Sequence, residues 1–165
     1  MERPVRFISS QYHEAGRITT LVDFYGFQDR NGRNRAQLGG AILDGTSQRT
    51  TGFDPRFVLP YVPMREFEGL LFSDIGQFQY VLDGWNEKIR VKLTEVRQAF
   101  ASPKDINDSP QTAPSKRLLN IFDQGTCSKT EHGPIVAEAI GIDQIRAQCA
   151  QFGAWVNTLQ AWCAG

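Results

Sequence analysis

The sequence predicts an α/β protein with a small, mostly parallel sheet, flanking helices and a helical C-terminal half. Two short segments, 18–22 and 56–63, have the β-branched, aromatic and apolar composition of strands, and helical features follow each of them. A chain that passes twice from strand to helix favours parallel strands. The chain has 165 residues, 41% of them hydrophobic, so we expect residues 1–165 to form one domain with its own core.

The first strand is expected to be buried, with Asp23 at its carboxyl end. The segment 31–51 is rich in glycine and polar residues around a few apolar ones, which predicts a loop and a short helix. The second strand, 56–63, contains Pro60. Because proline has no backbone N–H to donate, this strand is expected near a sheet edge or at a bulge.

Helical periodicity dominates the second half of the chain. A helix is expected from residue 64 or 65, interrupted at Asp74, and Asp74 is expected to cap its continuation toward Leu82. The segment 86–100 has its apolar residues on one helical face and is expected to be an amphipathic helix. Three further helices are expected at 113–122, 135–140 and 143–165.

Composition narrows the class of protein. Eighteen basic and eighteen acidic side chains cancel, so overall charge neither indicates nor excludes a nucleic-acid partner. Cysteines 127, 149 and 163 are too far apart for a zinc or redox motif, and we interpret them as reduced thiols. Without a long apolar run or an apolar leader segment, we expect a cytoplasmic protein that does not enter a membrane.

Three carboxylates follow the predicted strands. Asp23 ends the first strand, and Glu66 and Glu68 come after the second. Ligands of parallel α/β folds bind outside the carboxyl ends of strands, so these acids are candidate ligands of Mg²⁺ or Mn²⁺. The alternatives are a turn acid at Asp23 and helix N-terminal acids at Glu66 and Glu68; of the two glutamates we favour Glu66 as the ligand.

A polar segment, 104–117, precedes the predicted helix at 113–122. It contains Asp105 and Asp108, and Thr112 lies where a helix cap would be. Lys116 then falls in the first helical turn, where a cation is mildly unfavourable, which points to a site for an anion or a metal-bound phosphate. Alternatively, Thr112 is only a cap and Lys116 is only solvated.

His132 precedes Gly133 and Pro134, which predict a turn. Its imidazole could donate to a leaving oxygen or position a water molecule in phosphoryl transfer. The alternative is a structural hydrogen bond.

Taken in order, four motifs make the chain similar to domain of unknown function family 4276, which includes RloG-like proteins of bacterial restriction and defence loci. The motifs are Leu21-Val22-Asp23-Phe24-Tyr25-Gly26, 65–74, 105–117, and His132-Gly133-Pro134. The resemblance runs from about Arg17 to the C-terminus and implies a Toprim-like fold. The Glu-Gly-x-Thr-Glu segment typical of the family's N-terminus has no counterpart in residues 1–16, so we expect residues 1–16 to match the family poorly. An N-terminal truncation, a wrong start site or a degenerate member of the family would each explain this.

The resemblance implies a magnesium- or manganese-dependent nuclease, or a subunit derived from one, that acts on DNA or RNA in bacterial or phage defence. Its hydrolase activity could be lost with the absent glutamate. The implied metal ligands are Asp23, Glu66 and Glu68. The implied substrate contacts are Lys116, Arg117, Asp105 and Asp108, and His132 is the implied assisting group.

The alternative is a non-catalytic interaction module. In that hypothesis the helical half docks on a partner such as a defence ATPase, or on a second copy of the chain, and the acids stabilise loops. A sheet that lacks its first strand would present an edge for pairing. A small-molecule enzyme is a third hypothesis, with no motif behind it.

Overall fold

The computed structural model describes residues 1–24, 27, 31–63, 66–106, 112–122 and 126–164. These residues belong to two compact units, 1–64 and 65–165, which are described separately below. The expectation of a single domain over residues 1–165 stays a prediction. The mixed α/β class with a parallel strand pair and flanking helices is confirmed.

In its described residues, the first unit contains two helices and two strands. In chain order they are helix α1 (Glu2–Gln11), strand β1 (Ile18–Leu21), helix α2 (Arg35–Ser47), a 3₁₀ turn (Pro55–Phe57) and strand β2 (Val58–Tyr61). A cluster of buried apolar side chains from all four main elements forms its core: Val5, Ile8, Ile18, Phe27, Leu38, Ile42, Val58 and Val62.

Strands β1 and β2 pair in parallel, as predicted, with Ile18 opposite Val58 and Leu21 opposite Tyr61. The expectation that β1 is buried is wrong for most of its length, because Ile18 is buried whereas Leu21 is 43% exposed. Among the described residues β1 is the one partner of β2. Pro60 therefore lies in an edge strand, where its missing N–H costs no ladder hydrogen bond.

Helix α2 is longer than the predicted loop and short helix. It spans thirteen residues in spite of its glycines. A reciprocal cap starts it: Asn34 Oδ1 accepts from the Gln37 N–H at 3.0 Å, and Gln37 Oε1 accepts from the Asn34 N–H at 2.9 Å. This cap and the burial of Leu38 and Ile42 outweigh the low helix propensity of glycine.

The second unit is helical in its described residues. Its helices are α3 (Glu68–Leu71), α4 (Glu87–Gln98), α5 (Pro114–Ile121), α6 (His132–Ile140), α7 (Ile142–Gln148) and α8 (Ala150–Ala164), with 3₁₀ turns at Ile75–Tyr80 and Pro103–Asp105. Three aromatic rings pack together in the core of this unit. The centroid of the Phe78 ring lies 6.1 Å from that of Phe72 and 5.9 Å from that of Phe122. No helix of the described residues is both long enough and apolar enough to cross a membrane.

Several boundaries in this unit differ from prediction. Helix α3 begins at Glu68 rather than at residue 64 or 65. The cap position of α5 is Ala113 rather than Thr112. His132 begins α6 instead of preceding a turn, and Pro134 fits because the first helical turn needs no N–H from it. The helix predicted from residue 143 is two helices, since the backbone leaves helical geometry at Cys149 (φ −127°, ψ 82°). By contrast, Asp74 caps the turn at Ile75–Tyr80, as expected.

Candidate functional site

Asp23 lies at the carboxyl end of β1, where the sequence placed it. The backbone N–H groups of its neighbours Val22 and Phe24 donate to the carbonyl oxygens of Tyr61 and Pro63, both at 3.0 Å. The parallel ladder thus continues past Leu21 on both sides of Asp23. Its half-buried carboxylate is therefore carried by a hydrogen-bonded backbone rather than by a loose turn.

Glu66 has a defined partner in the second unit. Its Oε2 atom accepts a hydrogen bond of 3.0 Å from the backbone N–H of Ser115, in the first turn of α5. The first donors of a helix have no partner within the helix, and a carboxylate there is also favoured by the helix dipole. Glu66 thus serves as the side-chain cap that Ala113 does not provide.

Glu68 is buried, with 8% of its surface exposed. Its Oε1 atom lies 3.0 Å from Nζ of Lys129, whose side chain is about half exposed at 47%. A buried carboxylate needs such a partner because removing its charge from water is costly. Glu68 therefore has a structural role, and its assignment as a metal ligand stays a prediction.

The cations of α5 have different surroundings. Lys116 is exposed. Arg117 is held on the protein: its Nε donates to the carbonyl oxygen of Thr112 at 2.8 Å, and its guanidinium lies 5.2 Å from the centroid of the Phe100 ring. Asp105 ends a 3₁₀ turn and is half-buried, whereas Asp108 lies outside the described residues.

His132 makes two contacts with Ser128. Its backbone N–H donates to the Ser128 carbonyl at 2.8 Å, and its Nδ1 accepts from the Ser128 N–H at 2.9 Å. Because Nδ1 accepts, the neutral ring carries its proton on Nε2. His132 therefore makes the structural hydrogen bond that was the alternative to a catalytic role. In the neutral ring, Nε2–H is the group that could donate to a substrate.

One recess of the second unit brings several of these side chains together. Glu68, Lys129, His132, Ser115 and Cys127 line it, among apolar side chains of α3, α5 and α6. Burial raises the pKa of the Cys127 thiol, so this thiol stays protonated at neutral pH. No pattern in the sequence pointed to Lys129, and Ser115 lay in the polar segment 104–117 without being singled out. The spacing of Ser128 and His132, four residues apart, was the one available hint.

The residues that could hold a divalent cation are few. Within the described part of the chain, no three His, Cys, Asp or Glu side chains are grouped as a metal site would require. Asp23 and Glu66 have the carboxylate chemistry that suits Mg²⁺ or Mn²⁺, and only one oxygen of Glu66 is used on Ser115. They belong to different units. Glu68 fits less well because Lys129 already neutralises it.

The chain belongs to the family described as a domain of unknown function, DUF4276, whose model matches residues 2–160. The match includes most of the N-terminal segment that we expected to fit poorly. No curated protein and no solved structure matches the chain.

Proposed function

We propose that this protein is a Toprim-like, divalent-cation-dependent nuclease, or a subunit derived from one, which acts on nucleic acid phosphodiesters in a bacterial or phage-defence system. We place it in the cytoplasm. The observation that carries the proposal is the position of Asp23. An acid at the carboxyl end of a parallel strand pair, between two ladder hydrogen bonds, stands where ligands of α/β folds bind.

The family resemblance implies Asp23, Glu66 and Glu68 as ligands of Mg²⁺ or Mn²⁺, and of these Asp23 carries the proposal. When bound, the cation would neutralise charge on the phosphate and lower the pKa of a bound water molecule. Lys116 is the proposed phosphate contact, because it is exposed and carries a localised positive charge. His132 is the proposed donor to the leaving oxygen through Nε2–H, since Nδ1 is occupied by Ser128.

The other substrate contacts proposed from the family resemblance are weaker candidates. Arg117 is already engaged within the protein, because its Nε donates to the Thr112 carbonyl and its guanidinium lies over the Phe100 ring. Asp105 and Asp108 would repel phosphate directly and would act only through a cation.

The test is cation-dependent cleavage of labelled single- and double-stranded DNA and RNA. We expect cleavage with Mn²⁺ or Mg²⁺ by the wild type and its loss in Asp23→Asn, a substitution that keeps the shape of the side chain but removes its charge. Asp44→Asn, on the exposed surface of α2, is the matched control and should cleave normally. Equal cleavage by Asp23→Asn and wild type would refute the assignment.

A second function is favoured by a separate observation. Glu66 and Glu68 both bind structural partners, which is what acids do in a non-catalytic module. In this alternative the helical unit docks on a partner such as a defence ATPase, or on a second copy of the chain. Copurification with the ATPase or a dimeric mass in solution, together with no Mn²⁺ binding by calorimetry, would support it. Mn²⁺ binding that is lost in Asp23→Asn would speak against it.

A further inference from the structure

We propose that Glu66 is a positioning residue that holds the first turn of α5 and thereby places Lys116 for contact with a nucleic acid phosphate. This inference rests on the proposed function. It assigns Glu66 a role that does not depend on a metal. The observation behind it is the 3.0 Å hydrogen bond from the Ser115 N–H to Glu66 Oε2.

Helix α5 needs an external acceptor at this point. Its cap residue, Ala113, has no side chain that could accept a hydrogen bond, and Pro114 at the first position has no N–H. The first donor is therefore the N–H of Ser115, a residue that is 98% buried, since only 2% of its surface is exposed. Water cannot readily replace a lost partner there, and a buried donor without an acceptor is costly.

Lys116 directly follows this anchored residue. Arg117, on its other side, is fixed by Thr112 and Phe100. Lys116 is thus an exposed cation between two held neighbours, so its direction depends on how the turn is held. The negative charge of Glu66 near the start of α5 also offsets the unfavourable placement of a lysine in the first turn.

The binding test is done without metal, so that any role of Glu66 as a metal ligand cannot contribute. Binding of a fluorescent oligonucleotide is measured in EDTA at several salt concentrations. Lys116→Ala should weaken binding and lower the salt slope by about one. Glu66→Ala should weaken binding by a similar factor, although it removes a negative charge that would otherwise repel the ligand. Glu66→Gln, whose amide oxygen can still accept from Ser115, should bind like the wild type or more tightly.

The double variant Lys116→Ala/Glu66→Ala separates positioning from independent effects. If Glu66 acts through Lys116, the double variant should bind no more weakly than Lys116→Ala alone. Tighter binding by Glu66→Ala than by wild type, or losses that multiply in the double variant, would overturn the inference.

Hydrogen exchange at the start of α5 gives a readout that does not need a ligand. We expect faster exchange in the peptide covering 114–119 for Glu66→Ala, wild-type exchange for Glu66→Gln, and no change for Glu95→Ala on the exposed surface of α4. Unchanged exchange in Glu66→Ala would overturn the inference. If the wild type binds no oligonucleotide at low salt, the proposed function fails, and exchange still decides whether Glu66 holds α5.

Discussion

Nζ of Lys129 lies 3.0 Å from Oε1 of Glu68, a carboxylate with only 8% of its residue surface exposed. The pair joins α3 to the segment before α6 at the edge of the recess that contains His132. Half of the lysine side chain reaches solvent, so the two partners pay unequal desolvation costs. Loss of the ion pair should therefore be more costly for the buried carboxylate of Glu68 than for the ammonium group of Lys129.

Lys129→Met should therefore destabilise the protein by about 1–2 kcal/mol, because it leaves a buried carboxylate uncompensated at a partly hydrated site. Glu68→Gln in the same chain should recover part of the loss, since the amide carries no charge. Urea unfolding followed by circular dichroism measures both. Lys88→Met, at an exposed position of α4, is the control; an equal effect there would rule out a specific role for the ion pair.

The two threonines at the centre of β1 should respond oppositely to loss of their hydroxyls. The buried Oγ1 of Thr20 has no hydrogen-bond partner among the described residues, whereas Thr19 Oγ1 donates to the Leu59 carbonyl at 2.7 Å. Thr20→Val should be neutral or stabilise by up to about 1 kcal/mol, and Thr19→Val should destabilise by about 1 kcal/mol. Chemical denaturation compares them. Destabilisation by Thr20→Val of the same size would show that its hydroxyl has a partner.

Two glycines of α2 should also differ in their response to alanine. A Cβ at Gly40 meets nothing within 4 Å, whereas one at Gly45 would lie 3.1 Å from Cγ2 of Val5 on α1. Gly40→Ala should stabilise by about 0.5–1 kcal/mol through helix propensity. Gly45→Ala loses that gain to the clash. Val5→Ala by itself should destabilise the protein because Val5 is buried in the core, but on that background Gly45→Ala should be stabilising because the clash is absent. Thermal unfolding of the single variants and of Val5→Ala/Gly45→Ala measures this, and stabilisation by Gly45→Ala in the wild-type background would contradict the close approach of the helices.

The cysteines should react with iodoacetamide in a defined order. Burial raises the pKa of Cys127 and of Cys149, so at any given pH less of each is the reactive thiolate, and raising the pH accelerates their labelling. Cys163 is exposed and should be labelled first at pH 7.5. Mass spectrometry of the digested protein gives the order of labelling. In urea, unfolding removes the burial of Cys127 and Cys149, so the three cysteines should be labelled at similar rates. Labelling of native Cys149 as fast as Cys163 would contradict its burial.

The sequence was sufficient where local signals agree with packing. The apolar composition of two segments predicted β1 and β2, and the two passages from strand to helix predicted their parallel pairing. The amphipathic spacing over 86–100 predicted α4 closely. The sequence was insufficient for α2, where the glycines suggested a loop. The Asn34–Gln37 cap and burial in the core decide that segment instead.

The candidate site shows a different limit of sequence reasoning. The position of Asp23 follows from the strand that precedes it and was predictable. The partner of Glu66 is 49 residues away, and that of Glu68 lies in a turn with no motif of its own. Such contacts depend on tertiary packing, so the sequence identified the acids but not what they bind.

The central claim is that Asp23 belongs to a divalent-cation site, and anomalous scattering from a crystal soaked in Mn²⁺ tests it most directly. The account predicts a manganese peak within coordination distance of the Asp23 carboxylate, absent from Asp23→Asn crystals soaked in the same way. A well-ordered structure with no peak at Asp23, from crystals in which Mn²⁺ is seen at other positions, would contradict the nuclease proposal and favour the interaction module.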